Sequence, residues 1–511
     1  MVPQDLLPFQ MVSDASLPGL TALGGLPLYL DLAHVARLRD SITRHVQARR
    51  GQQGWTDAQM VLSLILMQLA GGERVDDLRV LEGDEGFGRI LRRVEPYGMP
   101  RRERREQERR WRKTRQRSVP SPSATFRYLM EFHDPEQEKL REEHRAFIPA
   151  SKPALQGLGA VNRDLVGFVQ RSSPQAHATL DMDATLLASE KREALYCYKH
   201  FKSYQPLNVY WAEQRLVVHT EFRDGNVPAG YQIDRVFAEA LAGLPEGVER
   251  VSLRSDTAAY DHRLLRYCAA GRNERFGVVE FAVGVDVTPA FKEAVAQVAE
   301  GDWQPLYRWV EGRRIPTDQE WAEVCFVPEW VAQGGRSGPE YRFLAIREPL
   351  RQLDLPGIEA GQQVLPFPVM EFGERGRHKV FGIVSNREVD GEELIWWSRE
   401  RCGASEGVHS EMKHDLAGGK LPSGLWGANA AWWAIMVLAL NLNTALKRLV
   451  LGSEWVSKRL KAIRYAIIHL PGRVVRHARC WWIRLSDRHP SSRVLLEARE
   501  RLRILARASP G

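Results

Sequence analysis

The segment at residues 178–183 reads Ala-Thr-Leu-Asp-Met-Asp, and the fold of the chain can be worked out from it. Apolar and polar residues alternate here, which is the two-residue period of a β-strand. The apolar residues are predicted to face a core, while Asp181 and Asp183 share the opposite face. We therefore expect a strand that carries two carboxylates on one face.

Four further strands are predicted downstream, at Leu207–Trp211, Leu216–Phe222, Arg250–Ser255 and Phe276–Val283. Apolar residues at helical spacing predict one helix before the third of these strands, around Ile233–Leu241, and one before the fourth, around Tyr260–Cys268. The chain then runs as three strands, a helix, a strand, a helix and a strand. This is the order of an RNase H-like α/β core.

The core is predicted to be interrupted before its last helix. Residues 287–377 are rich in Trp, Gly and Pro and contain strand-like pieces at Val324–Val327 and Tyr341–Arg347, which indicates a β-rich insertion domain. The core then resumes with a strand at Lys379–Ser385 and a helix around Glu406. The predicted fold class is therefore α/β, an RNase H-like catalytic core with a β-rich insertion.

Both ends of the chain are predicted to be helical and basic. Helices over Asp31–Gln47, Thr56–Leu69, Val75–Arg92 and Ser123–Phe132 favour an N-terminal DNA-binding domain. The run at residues 101–117 is either a DNA backbone contact or a solvated charged loop. Its candidate contacts are Arg104, Arg105, Arg109, Arg110 and Arg112.

The predicted domain boundaries follow from these changes in composition. They are an irregular arm at 1–30, the helical DNA-binding domain at 31–150, the core at 175–286 and 378–450, the insertion domain at 287–377, and a basic C-terminal region at 451–511.

The composition agrees with a globular protein that binds a polyanion. The 511 residues carry a net charge of +8 with a pI near 9.2. The five cysteines have no zinc-ligand spacing, and the N-terminus has no signal-peptide pattern, so we expect reduced thiols and a cytoplasmic location. The apolar run Ala428–Leu440 is predicted to be a buried core helix rather than a membrane span.

Three acidic residues could meet if the core folds as predicted. Asp183 lies on the first strand, Asp256 follows the strand Arg250–Ser255, and Glu406 lies on the late helix. Carboxylates that meet without a cation repel one another, and oxygen ligands select Mg²⁺ or Mn²⁺ over zinc. Two such ions would support in-line phosphoryl transfer.

Each of these acids also has an ordinary interpretation, as a helix cap or a surface residue. Asp181 is a rival of Asp183 because it shares the same strand face, and Asp261 is a weaker rival of Asp256. His409, three residues after Glu406, could ligate a metal, although no second copy of this spacing occurs.

The helix around Glu406 also carries cations. Lys413 lies two helical turns after Glu406 and projects from the same face, while Arg399 and Arg401 precede it. Such a set could grip phosphate beside a metal, or it could be a solvated helix of mixed charge.

Three blocks of the chain, at residues 180–185, 253–260 and 401–419, resemble bacterial insertion-sequence transposases of the DDE type. The subgroup most similar has a β-strand insertion domain and the YREK signature. The resemblance implies that Asp183, Asp256 and Glu406 form a metal-binding catalytic triad. It implies that Lys413 and Arg401 contact transposon-end DNA. Two positions depart from the signature, since Arg401 is one residue too far from Glu406, and Trp396 or Trp397 fills the tyrosine position.

The function implied by the resemblance is DNA transposition in a bacterial cytoplasm. The partners would be the terminal inverted repeats and the target DNA, with a synaptic homodimer, a hairpin cut-and-paste route and no membrane. A tryptophan of the insertion would stack on a flipped base, with Trp303, Trp309, Trp321 and Trp330 as candidates. The alternatives are a non-catalytic DNA-binding relative and an RNase H-like nuclease without end specificity.

Overall fold

The computed structural model describes residues 18–49, 54–106, 117–333, 338, 340–350, 367–478 and 480–508. Arg109, Arg110 and Arg112 lie outside the described residues, as does most of the predicted N-terminal arm. The chain divides into two compact units. The first contains Met1–Pro135, Ser151–Leu165 and Glu411–Gly511, and the second contains Glu136–Ala150 and Val166–Ser410.

The second unit is built on a ten-stranded mixed sheet. Its strands are β1 (His177–Ala184), β2 (Leu207–Trp211), β3 (Leu216–Glu221), β4 (Arg250–Ser255), β5 (Glu280–Val285), β6 (Gln304–Val310), β7 (Arg313–Glu323), β8 (Arg342–Pro349), β9 (Val369–Glu371) and β10 (Arg377–Ser385). Their order is β6-β7-β8-β10-β5-β4-β1-β2-β3, and β9 pairs with β10. The protein is therefore of the mixed α/β class.

The first five strands have the predicted order along the chain. β1 pairs in parallel with β4, and β4 pairs in parallel with β5, whereas β2 and β3 add antiparallel strands on the other side. Helices Ile233–Ala242 and His262–Ala269 connect β3 to β4 and β4 to β5. The carboxyl ends of β1, β4 and β5 consequently lie at one edge of the sheet, as parallel strands require.

The strands of the predicted insertion extend this same sheet. β10 pairs with β5, and β8, β7 and β6 follow outward. The prediction of a strand at Val324–Val327 is wrong, because β7 ends at Glu323. After Glu323 the Phe326 N–H donates a hydrogen bond to the Val324 carbonyl (3.0 Å) rather than to a neighbouring strand. Pro328 has no N–H that could donate to a β-ladder.

The helix Gly391–Ser410 follows β10 and packs on the outer strands of the sheet. Leu394 and Ile395 share one hydrophobic core with Trp321 of β7 and with strand residues Leu306, Leu344, Ile346 and Ile383. Gly391 opens the helix against the Trp321 ring, where a Cβ would collide with the ring. We call Gly391–Ser410 the catalytic helix, because it carries Glu406, which the sequence predicts to be catalytic.

The first unit is mainly helical. Its described α-helices include Pro27–Val35, Leu38–His45, Asp57–Leu69, Leu78–Gly83, Glu85–Val94, Pro122–Met130, Trp426–Leu446, Ser453–Val456, Leu460–Ile463 and Pro490–Ala508. Leu20–Thr21, Gly472–His477 and Cys480–Arg484 form a small sheet. Two of these helices have side-chain N-caps: Thr56 accepts from Gln59 N, and Ser121 accepts from Ala124 N.

Two predicted helices of the first unit are each divided in the structure. The helix expected at Asp31–Gln47 breaks at Arg37, which has a positive φ of 52°. The helix expected at Val75–Arg92 breaks at Asp84, whose carboxylate accepts a hydrogen bond from Phe87 N (2.7 Å) and begins a new helix. The sequence did not predict the helix Pro153–Ser172.

The helix Trp426–Leu446 is the predicted core helix, and nearly all of its side chains are buried. With the turn that follows, it is long and apolar enough to cross a bilayer by length and composition alone. Since 83% of its apolar window is buried inside the protein, its apolar surface is already covered.

Candidate active site

Asp183, near the carboxyl end of β1, meets one face of the catalytic helix. The Ser405 hydroxyl donates a hydrogen bond to its Oδ2 (2.7 Å), and Arg401 Nη1 lies 3.4 Å from the same oxygen. His409 Nδ1 lies 3.6 Å away. Residues 401, 405 and 409 are four apart, so they form one stripe of the helix. Three donors thus surround a partly exposed carboxylate.

Residues of β2 and β3 orient His409 through the ring nitrogen that lies away from Asp183. The Thr220 hydroxyl donates to Asn208 Oδ1 (2.7 Å), so the Asn208 amide nitrogen is the group that faces His409 Nε2 at 3.2 Å. An amide nitrogen can only donate, which makes Nε2 the acceptor in the neutral ring. The ring proton then lies on Nδ1, the nitrogen nearer to Asp183.

Asp256 lies directly after β4, the parallel neighbour of β1. Its Oδ1 accepts from Ala258 N (3.0 Å), which caps a short 3₁₀ turn. Burial raises the pKa of this carboxyl, the negative charge of Asp183 raises it further, and the Arg401 guanidinium lowers it. The two aspartates predicted to act together are therefore close enough for their charges to interact.

Asp286 is a third acid at this edge, and the sequence did not predict it. It follows β5 directly, and burial and the charge of Asp256 raise the pKa of its carboxyl. The two strand ends are in close contact, since a Cβ on Gly284 would lie 3.0 Å from Thr257 N. The predicted fifth strand ended at Val283, and this early end hid the position of Asp286.

Glu406 lies beside the Asp183-facing stripe of the catalytic helix and is exposed to solvent. Within the described part of the chain, no group of three or more His, Cys, Asp and Glu side chains has an arrangement that could hold a metal ion. The convergence of Glu406 with Asp183 and Asp256 therefore stays a prediction.

The charges at the sheet edge suit a divalent cation. The charge of Asp183 acts on Asp256 and the charge of Asp256 acts on Asp286, while among the described residues the Arg401 guanidinium lowers the pKa of Asp256. The donors are oxygens, which Mg²⁺ and Mn²⁺ prefer. The donor chemistry of this edge therefore matches the predicted Mg²⁺ or Mn²⁺, and the metal itself stays a prediction.

Asp181 has a different partner from Asp183. Arg254 of β4 donates to both of its oxygens, at 2.7 and 3.1 Å, and both side chains are buried. Arg254 also donates to the Trp397 carbonyl (2.8 Å) and to Glu400 (2.9 Å) on the catalytic helix. Asp181 thus holds sheet and helix together and is not available as a substitute for Asp183.

Asp261, the weaker rival of Asp256, is a helix cap. Its Oδ1 accepts from Arg263 N (2.9 Å) and Leu264 N (3.1 Å) at the start of His262–Ala269.

The predicted DNA contacts lie in varied surroundings. Arg399 is half-buried, with its guanidinium 5.2 Å from the Trp396 ring, and burial lowers its pKa. Lys413 is half-buried in the π-helical turn Glu411–Asp415 of the first unit. Arg104 and Arg105 are exposed. Their roles toward DNA stay predictions.

Three of the four candidate tryptophans are packed against protein. Trp321 lies in the hydrophobic core, Trp303 packs on Phe372, and Trp330 packs on Tyr260. Trp309 on β6 is 69% exposed.

A comparison with known proteins shows the family of the chain. The family model described as transposase DDE domain group 1 matches residues 18–324 and 370–507, which include all three predicted catalytic acids. Among solved structures, the chain is similar to the cryo-EM structure of a piggyBac transposase synaptic complex with hairpin DNA. That match has a TM-score of 0.45 and 11% identity, over 97% of this chain and 88% of the other. No curated protein matches the chain. Because the family model spans most of its length, the chain belongs to the DDE transposases.

Proposed function

We propose that the protein binds the terminal inverted repeats of an insertion sequence and cuts and joins its DNA ends by metal-dependent phosphoryl transfer. The observation that carries the proposal is the edge of the sheet where Asp183, near the carboxyl end of β1, and Asp256, directly after the parallel strand β4, bring their negative charges close together. In the RNase H-like interpretation of β1–β5, this edge is where the scissile phosphate would lie.

Asp183, Asp256 and Glu406 would hold the Mg²⁺ or Mn²⁺ ions. Bound there, two such ions would activate the attacking oxygen and stabilise the leaving oxygen of an in-line displacement. Ser405 and His409 orient the Asp183 carboxylate through the contacts described above. Arg401 supplies a positive charge beside it and can attract a DNA phosphate.

The wider assignment rests on family resemblance. The helical first unit, with Arg104, Arg105 and Lys413, would contact the inverted repeats, and two protomers would pair the two ends. A hairpin intermediate would follow first-strand cleavage, and the exposed ring of Trp309 is the best placed of the four tryptophans to receive a flipped base. DNA cleavage and joining would take place at the nucleoid in a bacterial cytoplasm.

The test is a strand-transfer assay with DNA that carries the inverted repeats flanking the gene. We expect the full chain to nick and join these ends in Mg²⁺, and Asp256→Asn to lose both reactions. Full activity of Asp256→Asn would show that the assignment is wrong. End binding without cleavage in any divalent metal would indicate a non-catalytic relative, and cleavage without end preference would indicate a nuclease.

A further inference from the structure

A small sheet begins where β1 ends, next to the sheet edge that carries Asp183. After Asp183 the pairing of β1 with β2 continues through Thr185, whose N–H donates to the Pro206 carbonyl (3.0 Å). Strand Leu187–Ala188 then pairs with Lys202–Tyr204, which in turn pairs with Leu195–Tyr196. We call residues Tyr196–Lys202 the aromatic hairpin.

The tip of the aromatic hairpin is a tight turn. Cys197 N donates to the Phe201 carbonyl and His200 N donates to the Cys197 carbonyl, both at 2.9 Å. His200 has a positive φ of 61°, which closes the turn. Cys197 is buried beneath the turn, so the remaining side chains of the tip are held outward.

The base of the hairpin is fixed from below. Tyr204 is buried and stacks on Phe222 with ring centroids 5.0 Å apart. Arg141 bridges Asp224 (2.7 and 2.8 Å) and the Glu193 carbonyl (2.9 Å). A surface presented on such a base loses little conformational entropy when a ligand binds.

The outward side chains of the hairpin are aromatic and cationic. Tyr198 is 70% exposed, Tyr196 50% and Phe201 36%. Lys199 Nζ lies 5.6 Å from the Tyr198 ring centroid, and Lys202 Nζ lies 5.8 Å from the Tyr196 ring centroid. Exposed rings interleaved with lysines are the surface that single-stranded nucleic acid binds, because bases stack on the rings and phosphates pair with the ammonium groups.

We propose that the aromatic hairpin binds unpaired nucleotides next to the phosphodiester that is attacked at Asp183, an inference that rests on the proposed function. The bases of an intact duplex are stacked on one another and cannot cover these rings, so the ligand must be locally unpaired. The five residue steps from Asp183 to Ala188, which pairs with Ser203 next to the base of the hairpin, span at most about 17 Å at about 3.3 Å per residue. At about 3.4 Å per nucleotide of stacked DNA, that distance corresponds to about five nucleotides.

The test uses fluorescence of 2-aminopurine in DNA bound by the full chain without divalent metal. One probe carries the fluorophore in a short unpaired extension, and the other carries it in a blunt duplex of the same sequence. We expect the wild type to quench and bind the extension probe, and Tyr198→Ala to weaken that binding by about 5- to 150-fold, the range for the loss of one stacked base. Affinity for the blunt duplex should stay the same.

Two further variants separate stacking from other effects. Tyr198→Phe keeps the ring and should bind like the wild type, whereas Lys199→Gln should weaken the binding and lower its salt dependence by about one phosphate contact. Equal affinity of Tyr198→Ala and wild type for the extension probe would overturn the inference, as would an equal loss with the blunt duplex.

The outcome is independent of catalysis, because the binding is measured without metal. A wild type that cuts cognate ends while Tyr198→Ala binds the extension normally would leave the proposed function in place and overturn only the role of the hairpin. A wild type that never cuts but needs Tyr198 for the extension would support the hairpin and contradict the proposed function.

Discussion

Asp181 and Asp183 lie two residues apart on β1, and each has an arginine beside it. On the Asp181 side, Arg254 makes two short hydrogen bonds to the carboxylate and both side chains are buried. On the Asp183 side, Arg401 stays 3.4 Å from the carboxylate, and both side chains keep contact with solvent. We call Asp181–Arg254 the closed pair, because it is buried and its two charges cancel. We call Asp183–Arg401 the open pair, because solvent reaches both side chains.

The closed pair therefore has a structural role, whereas the open pair is accessible to a ligand. The closed pair fixes β1, β4 and the catalytic helix through bonds that no ligand can reach. The open pair interacts with Asp256, which in turn interacts with Asp286, so the carboxylates at this edge carry more negative charge than Arg401 alone can balance. An excess of charge at an accessible edge attracts a cation or a positively charged group, and perturbed carboxyls of this kind are concentrated at functional sites.

The largest expected effect is at Glu406. We expect Glu406→Gln to slow cleavage of cognate DNA ends by about 1000-fold, since a lost metal ligand removes several kcal/mol of charge stabilisation. The melting temperature should not change, because the side chain is exposed. Glu393→Gln, an exposed residue of the same helix, is the control and should cleave at the wild-type rate. A wild-type rate for Glu406→Gln would remove it from the site.

The closed pair should matter for stability. Arg254→Met leaves Asp181 buried without its partner, and such losses cost about 3–5 kcal/mol in free energy of unfolding. The double variant Asp181→Leu with Arg254→Met should recover most of that loss, because no charge remains buried. Urea denaturation measures both.

A matched control for the closed pair is Glu400→Gln. The Glu400 side chain is 68% exposed, so its bond to Arg254 should contribute less than about 1 kcal/mol. If Arg254→Met cost no more than this control, the pair would not be what holds the helix to the sheet.

A smaller effect of opposite sign is expected at Asp256. Because burial and Asp183 raise its pKa, the folded protein holds this proton more tightly than the unfolded chain does. Ionisation therefore costs stability as pH rises from the ordinary aspartate pKa through the raised one. Asp256→Asn should be more stable than wild type by about 0.5–2 kcal/mol at neutral pH without metal, and equally stable below the ordinary pKa. Thermal unfolding at several pH values checks this, and a less stable variant at neutral pH would contradict it.

The smallest effect is expected at Lys413, whose predicted role is to contact one phosphate. Lys413→Ala should reduce the slope of log affinity against log salt concentration by about 0.9. Lys420→Ala is the control, because Lys420 pairs with Glu73. Identical slopes for wild type and Lys413→Ala in a filter-binding or anisotropy titration would exclude the contact.

The sheet could be predicted because its strands have a clear two-residue period. The bounds of β2 and β4 are those that the sequence predicts. The segment Val324–Val327 was wrongly predicted to be a strand. It is apolar because it packs in the core and not because it pairs with a strand, and periodicity cannot distinguish a core segment from a paired strand.

The site could be predicted only in part, because its contacts join distant segments. Arg254 faces Asp181 through a parallel register between residues 73 positions apart, and no local pattern indicates that register. The spacing of Arg401, Ser405 and His409 indicates one helix face, but the choice of the face that meets Asp183 depends on how the helix packs on the sheet.

Asp183, and not its neighbour Asp181, is proposed to bind the catalytic metal. The most direct measurement is DNA-end cleavage by Asp183→Cys in Mg²⁺ and in Mn²⁺, with Asp183→Ala as the control. Mg²⁺ requires oxygen ligands, whereas a transition ion accepts a thiolate more readily. We expect no detectable cleavage by Asp183→Cys in Mg²⁺ and recovery in Mn²⁺, with Asp183→Ala inactive in both. Equal rates for Asp183→Cys in the two ions, or recovery of Asp183→Ala in Mn²⁺, would contradict it.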